Sequence, residues 1–154
     1  MHEVLLVSRW RRHLVDRGFR ALYLFHHCVL RATGSRVGAT AFGMLIVQLH
    51  TIGRTSGRER TVLLAAPVVD DERIVLVASK GGDDRNPDWF MNLLAHPDVE
   101  LTVHRERRAV HARVADRAEE DELWPRVVAA YKPYASYRRR AQRDIPLVIC
   151  EPRH

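Results

Sequence analysis

The residue types best suited to chemistry fall in three short stretches: His50 to Arg60 (HTIGRTSGRER), Ser79-Lys80-Gly81-Gly82, and a spaced set of tyrosines, Tyr131, Tyr134 and Tyr137. In the first, Gly53 and Gly57 permit positive φ and a close approach of backbone to ligand, and Ser56 and exposed N–H groups donate to an anion. Arg54, Arg58 and Arg60 add long charged donors. The second stretch again combines a hydroxyl, a cation and two glycines, so that two such loops can clamp one phosphate-bearing tail. Arginine and glycine are also ordinary turn material, and either stretch taken alone reads equally as a solvated hairpin.

What these loops are not narrows the ligand. Neither has the Gly-Lys-Ser/Thr run that opens a helix in a Walker loop, and no GxGxxG follows a strand, which argues against ATP and NAD as principal ligands. No GxSxG elbow is present, and Ser79 has no neighbouring histidine to activate it. Nine histidines invite a metal, but there is no HExxH, and His26 and His27 are adjacent and point apart on a helix. A cross-strand pair of His104 and His111 lacks a third ligand, so no metal site is expected.

The aromatic residues admit two readings. Trp89 and Phe90 follow the second loop, with Phe90 the better core candidate and Trp89 the better ligand-facing one; Asn92 on the same short helix is an orienting donor. A single helix would set Tyr131, Tyr134 and Tyr137 in one slanted stripe. That stripe serves either as core or, among Lys132, Ser136 and Arg138 to Arg140, as a wall that stacks on a flat ring and donates protons.

The elements that must hold these residues are short. Residues 3 to 32 have apolar positions at helical spacing with arginines around the rest of the circumference, predicting a basic amphipathic segment over 1–36. Seven arginines against Glu3 and Asp16 give that segment +5 of the formal +6. Met44 to His50, Arg60 to Val69 and Arg73 to Ser79 read as three antiparallel strands, the last two joined at Asp70-Asp71-Glu72. Asn86 as N-cap and Pro87 at the first helical position predict a short helix. Alternation then predicts a hairpin turning about Arg107 and Arg108, with Leu101 opposite Val114, Val103 opposite Ala112 and His104 opposite His111. Residues 117 to 131 read as helical with Pro125 opening a second helix; "PYASYRRRAQR" continues helical, and Asp144 to Cys150 forms a last strand. Hairpins rather than alternating β and α units imply an antiparallel α+β fold, and six strands in so short a chain tend to curl into a small barrel.

Several separated stretches, "TIGRTSGRERT", "VASKGG", "NPDWFMNLLAHPDVELTV", "ARVADRAEEDELWPRVVAAY" and "YKPYASYRRRAQRDIPLVICEPR", stand in the order and spacing of a known family. From about residue 45 to 153 the chain resembles the deazaflavin-dependent nitroreductase and quinone reductase family, whose members use coenzyme F420. The resemblance implies an FMN-binding-like split β-barrel over 37–154, beside the segment 1–36. It also implies transfer of a hydride from the reduced deazaflavin to a quinone, nitroaromatic or similar electron-poor acceptor. The phosphodiester and oligoglutamate tail of that cofactor would explain the basic turn. By this resemblance Arg54, Ser56, Gly57, Arg58, Arg60 and Lys80 hold phosphate and carboxylates, and Trp89 and Asn92 line the ring or linker. Ser79 lies near the reacting ring, and Tyr131, Tyr134 and Tyr137 roof the acceptor pocket. Many relatives have a lysine where this chain has Thr55, so that a tail contact is either lost or moved to Arg58, which bears on cofactor affinity rather than fold.

Two other readings stay open: an FMN-binding split-barrel flavoprotein, and a non-catalytic basic module binding membrane or nucleic acid through its N-terminal segment. On the leading reading no nucleic-acid partner is expected. The arginines follow rather than precede the first apolar run, the reverse of a secretory signal, and Cys28 and Cys150 have no metal spacing, so a cytoplasmic protein with reduced thiols is expected. Peripheral contact of residues 1–36 with an anionic membrane is compatible with that location.

Overall fold

The computed structural model describes residues 40–153. The predicted basic helix over 1–36, Cys28 and the pair His26 and His27 lie outside the described residues.

Within them a two-residue strand β1 (Thr40–Ala41) turns back on β2 (Met44–Ile52), which pairs with β3 (Glu59–Ala66). Pro67 interrupts the ladder, and the chain then re-enters it as β4 (Val68–Val69), hairpinned to β5 (Ile74–Val77). After a 3₁₀ turn at Lys80–Gly82 come α1 (Asp88–Ala95), the hairpin β6 (Asp98–Val103) and β7 (Glu106–Val114), α2 (Arg117–Ala130), α3 (Pro133–Arg140) and β8 (Leu147–Pro152). Every pairing is antiparallel, running β2-β6-β7-β8-β5-β4, with β3 on the other edge of β2. Because β3 pairs with β2 while β4, one proline later, pairs with β5, the bend at Pro67 passes the chain between the two ends of the sheet. A proline lacks the ladder donor and sits naturally at such a break. The expected α+β fold with an antiparallel barrel of six principal strands is found, with β3 and β4 as one bent strand and β1 as a short addition.

Burial follows from period-two alternation. Val47, Leu49, Leu76, Val99, Leu101, Val110 and Val148 point inward with Trp89, Phe90 and Leu93 of α1. Val75, Val77, Leu147 and Ile149 point to the opposite face, under Leu123, Trp124 and Val127 of α2 and Tyr134 of α3. Strands β5 and β8 are therefore covered on both sides, which is why "IVLV" and "LVIC" are continuous apolar runs while β6 and β7 alternate. Cys150 is buried, and desolvation, with Glu151 adding to it, pushes its thiol up to about 12.

Four local expectations are corrected. The β6–β7 hairpin turns at His104 and Arg105, both at positive φ (47° and 74°), rather than about Arg107 and Arg108. Leu101 opposes Arg108 and Val103 opposes Glu106; His111 opposes Asp98, its Nδ1 2.8 Å from Oδ1, and His104 is in the turn. The slide of three residues on each strand preserves which faces are apolar, so alternation cannot distinguish the two registers. Cross-strand charge does: Arg107 donates to Glu59 at 2.6 Å and to Glu100 at 2.6 Å. Helix α1 starts one residue later than expected, with an extended Pro87 at the N-cap. Pro125 lies inside α2, which runs through it after a capping box between Asp116 and Glu119. The last strand begins at Leu147, since Ala78 N–H already bonds the Pro146 carbonyl.

Candidate functional site

Two loops and one helix pair enclose the site, and the two loops are built on opposite plans. The first, between β2 and β3, is closed by its own backbone: Gly53 N–H donates to the Arg58 carbonyl at 2.8 Å, and Gly57 N–H to the Gly53 carbonyl at 2.8 Å. Gly57 has φ of 65°, and a Cβ on Gly53 would stand 2.5 Å from Ser56 Oγ. Ser56 Oγ accepts from the Arg58 N–H at 3.3 Å and from the Arg60 guanidinium at 3.5 Å. Arg54 is tied down: its N–H and its guanidinium both donate to Asn92 Oδ1 (3.1 and 3.0 Å), and it pairs with Asp88 at 3.2 Å. Asn92 is buried and donates in turn to Thr51 Oγ1 at 3.4 Å. Its amide thus anchors the loop to α1, and Trp89 packs edge-on to Phe90 in the core beneath. Arg58 and Arg60 remain exposed.

The second loop presents backbone instead. Ser79 is right-handed helical (φ −78°, ψ −35°), and Lys80, Gly81 and Gly82 follow at φ of 45°, 64° and 80°. A right-handed residue followed by a left-handed one converges successive N–H groups into an anion-binding concavity. Gly82 N–H returns to the Ser79 carbonyl at 2.8 Å. The N–H groups of Ser79, Lys80 and Gly81 donate to no acceptor among the described residues. Ser79 is buried, and Lys80 holds a left-handed φ that side chains seldom adopt, a form of strain that concentrates at functional sites. A Cβ on Gly82 would stand 3.1 Å from both Cα and the carbonyl oxygen of Tyr137, so this loop packs directly on α3.

The tyrosines do not form one helical stripe, because the chain breaks at Tyr131, the C-cap of α2, before α3 begins at Pro133. The break still stacks them: ring centroids of Tyr131 and Tyr134 are 5.3 Å apart, those of Tyr134 and Tyr137 5.9 Å, both edge to face. Exposed Phe42, at the β1–β2 turn with φ of 53°, extends the row from Tyr131 at 5.4 Å. Burial holds the Tyr134 phenol far above its ordinary value, and burial with a hydrogen bond to Tyr131 raises that of Tyr137. Both phenols are therefore neutral donors at physiological pH.

The structure thus gathers Ser79, Lys80, Tyr131, Tyr134 and Tyr137 on one side, and holds Ser56, Gly57, Arg58 and Arg60 in a loop that Arg54 ties to α1. Strands β2 and β5, four antiparallel pairings apart, run in the same direction, which brings the loops that follow them to one end of the barrel, and five residues link Gly82 to Asp88 of α1. Phe42 escaped sequence reasoning, giving no signal beyond its place next to Gly43. Arg143 belongs to the basic bunch at 138 to 143, and its guanidinium is spent on backbone carbonyls. Asn86 Oδ1, buried on the connection between loop and helix, accepts no hydrogen bond from the described residues. Among the described residues no cluster of His, Cys, Asp or Glu is arranged to hold a metal, and no helix is long and apolar enough to cross a membrane.

Comparison with known proteins places this geometry in context. A family model described as F420H(2)-dependent quinone reductase matches residues 23–152. An F420H(2)-dependent quinone reductase of Mycobacterium tuberculosis (strain ATCC 25618 / H37Rv) is 36% identical over 148 residues, 93% of this chain and 96% of that protein. The solved structure of an F420-H2 dependent reductase superposes with a TM-score of 0.63 at 36% identity, covering 69% of this chain and 93% of the other. A general stress protein 26-related protein from Clostridium acetobutylicum, of the pyridoxinephosphate oxidase family, superposes at 0.51 with 14% identity, over 80% of this chain and 83% of the other. At that identity the likeness bears on the fold alone.

Proposed function

We propose that this chain, which belongs to the F420H(2)-dependent quinone reductase family, binds coenzyme F420 across its two glycine loops and reduces a quinone under the tyrosine row. The reduced deazaflavin supplies the hydride; the protein's part is to hold donor and acceptor in register and to stabilise charge on the reduced oxygen. The observation that carries this reading is the run of three undonated N–H groups at Ser79, Lys80 and Gly81, beside a loop of exposed arginines. These suit a cofactor with a phosphodiester and several carboxylates. A concavity of N–H groups takes a compact phosphate, whereas flexible arginines suit a string of carboxylates.

In this reading Lys80 and the Ser79–Gly81 backbone hold the phosphate, and Arg54, Ser56, Gly57, Arg58 and Arg60 hold the tail. Trp89 and Asn92 support the linker side from beneath. The Ser79 hydroxyl and the phenols of Tyr131, Tyr134 and Tyr137 face the acceptor, where an O–H donor stabilises oxygen as it gains charge. A wall of stacked rings accepts flat electron-poor molecules generally, so nitroaromatics are substrates as well as quinones. The +5 charge of residues 1–36 supports peripheral contact with an anionic membrane, where apolar quinones partition.

The test is a titration of the purified protein with coenzyme F420, followed by tryptophan quenching or cofactor polarisation, with FMN as control. Saturable binding of F420, at least ~100-fold tighter than FMN as several added charge-assisted contacts require, is the expected result. Equal affinities would favour the FMN-binding reading.

A further inference from the structure

Arg143 lies between α3 and β8, half-buried, and makes no ion pair with a carboxylate among the described residues. Its guanidinium donates to four backbone carbonyls: Nε to Asp83 at 3.0 Å, one terminal nitrogen to Asp144 at 2.9 Å, and the other to Ala78 at 3.0 Å and Ser79 at 3.2 Å. Three of the four belong to the loop that carries the undonated N–H groups. In a trans peptide the C=O and the following N–H point in opposite directions. The Ala78 carbonyl and the Ser79 N–H share one plane; the Ser79 carbonyl and the Lys80 N–H share the next. Drawing both carbonyls to one nitrogen therefore aims both N–H groups away from Arg143, to the same side.

We infer that Arg143 is a positioning residue that fixes the peptide planes at 78–79 and 79–80 so that Ser79 and Lys80 present their N–H groups to the cofactor's phosphate. The assignment rests on the reading that this loop is the phosphate site. It also accounts for the left-handed φ at Lys80, since a loop free to relax would not hold a non-glycine residue there. A lysine in the same place keeps the charge but not the fork: one ammonium cannot reach carbonyls 78, 79 and 83 with the fixed geometry of a guanidinium.

The experiment compares two ligands on the full chain, coenzyme F420 and the same deazaflavin lacking phosphate and glutamate tail, by fluorescence polarisation. Arg143→Lys is expected to weaken F420 binding roughly thirty-fold, as the loss of aligned hydrogen bonds to a charged group implies. Binding of the phosphate-free deazaflavin should stay within about two-fold, the limit below which no hydrogen bond has been lost. Arg143→Ala supplies the second measurement: added guanidinium at a sub-denaturing concentration should restore part of the F420 affinity and none is needed for the phosphate-free ligand. Equal loss of both ligands, or no loss of either, overturns the assignment to positioning. If the unaltered protein binds both ligands equally, the phosphate-site reading itself fails, a result separate from any effect of Arg143.

Discussion

The two glycine loops look alike in sequence, each with a hydroxyl, cations and glycines, yet they present their hydrogen-bond donors by different means. The loop at Gly53 to Arg60 closes on itself and turns its arginines outward; the loop at Ser79 to Gly82 is strained, pressed on α3 and strapped by Arg143, and it offers its own N–H groups. Side-chain donors adapt to a flexible chain of charges but are screened by salt. Backbone donors cost no side-chain entropy when the ligand arrives and specify its position. One cofactor with a compact phosphate and a flexible tail gives a reason for having both.

Breaking the backbone loop should have the larger effect. Gly82→Ala combines a φ of 80° with a Cβ 3.1 Å from Tyr137 backbone. About 2 kcal/mol of strain at such a position moves the loop and should cost roughly thirty-fold in F420 affinity, read by polarisation titration. Asn92→Ala removes the acceptor that ties Arg54 to α1 and leaves the part-buried Arg54 N–H unmet. A loss of about 2 kcal/mol in thermal or urea unfolding is expected, with a smaller loss in affinity that vanishes at high salt. Gly57→Ala gives the contrast, because it has a φ of 65° but nothing within 4 Å of the added Cβ. Its strain of about 1 kcal/mol should lower stability with little change in affinity; if it matched Gly82→Ala in binding, the distinction between the loops would collapse.

The smallest expected effect is on pH dependence. Arg85 beside Asp83 holds that carboxyl down to about 2, and Arg126 and Arg73 do the same for Asp70. A carboxyl with a folded pKa below its unfolded value contributes stability that is full above about pH 4 and lost as pH falls through about 2. The melting temperature should therefore fall across that window. Asp83→Asn should flatten part of the fall, and because Asp83 adjoins the backbone loop, F420 affinity should follow the same acid limb.

Much of this was legible beforehand where local chemistry decided the outcome. Alternation in β6 and β7 and the short turns between β-rich runs determine an antiparallel sheet, whereas Arg60 to Val69 read as one strand through the break at Pro67. The glycines at 53, 57, 81 and 82 mark the two tight loops, 57, 81 and 82 through positive φ and 53 through its close approach to Ser56.

What remained for the tertiary structure was the choice among equivalent partners. Apolar alternation is identical for two registers of the β6–β7 hairpin, and Arg107 in the observed one meets Glu100 and also Glu59, on a strand distant in sequence. The string from Arg138 to Arg143 has one sign of charge throughout. Arg138 stacks over Trp124 at 4.5 Å, Arg140 lies over Tyr137 at 5.5 Å, and Arg143 bonds the Ser79 loop. Sequence determines that these residues are cations and how far they reach; which acceptor each one meets depends on where chain segments dozens of residues away are packed. The same reason makes Asn92 an anchor and leaves the N–H groups of Ser79 and Lys80 as donors, since a side chain's partner is set by the completed fold and the direction of a peptide by what holds its carbonyl.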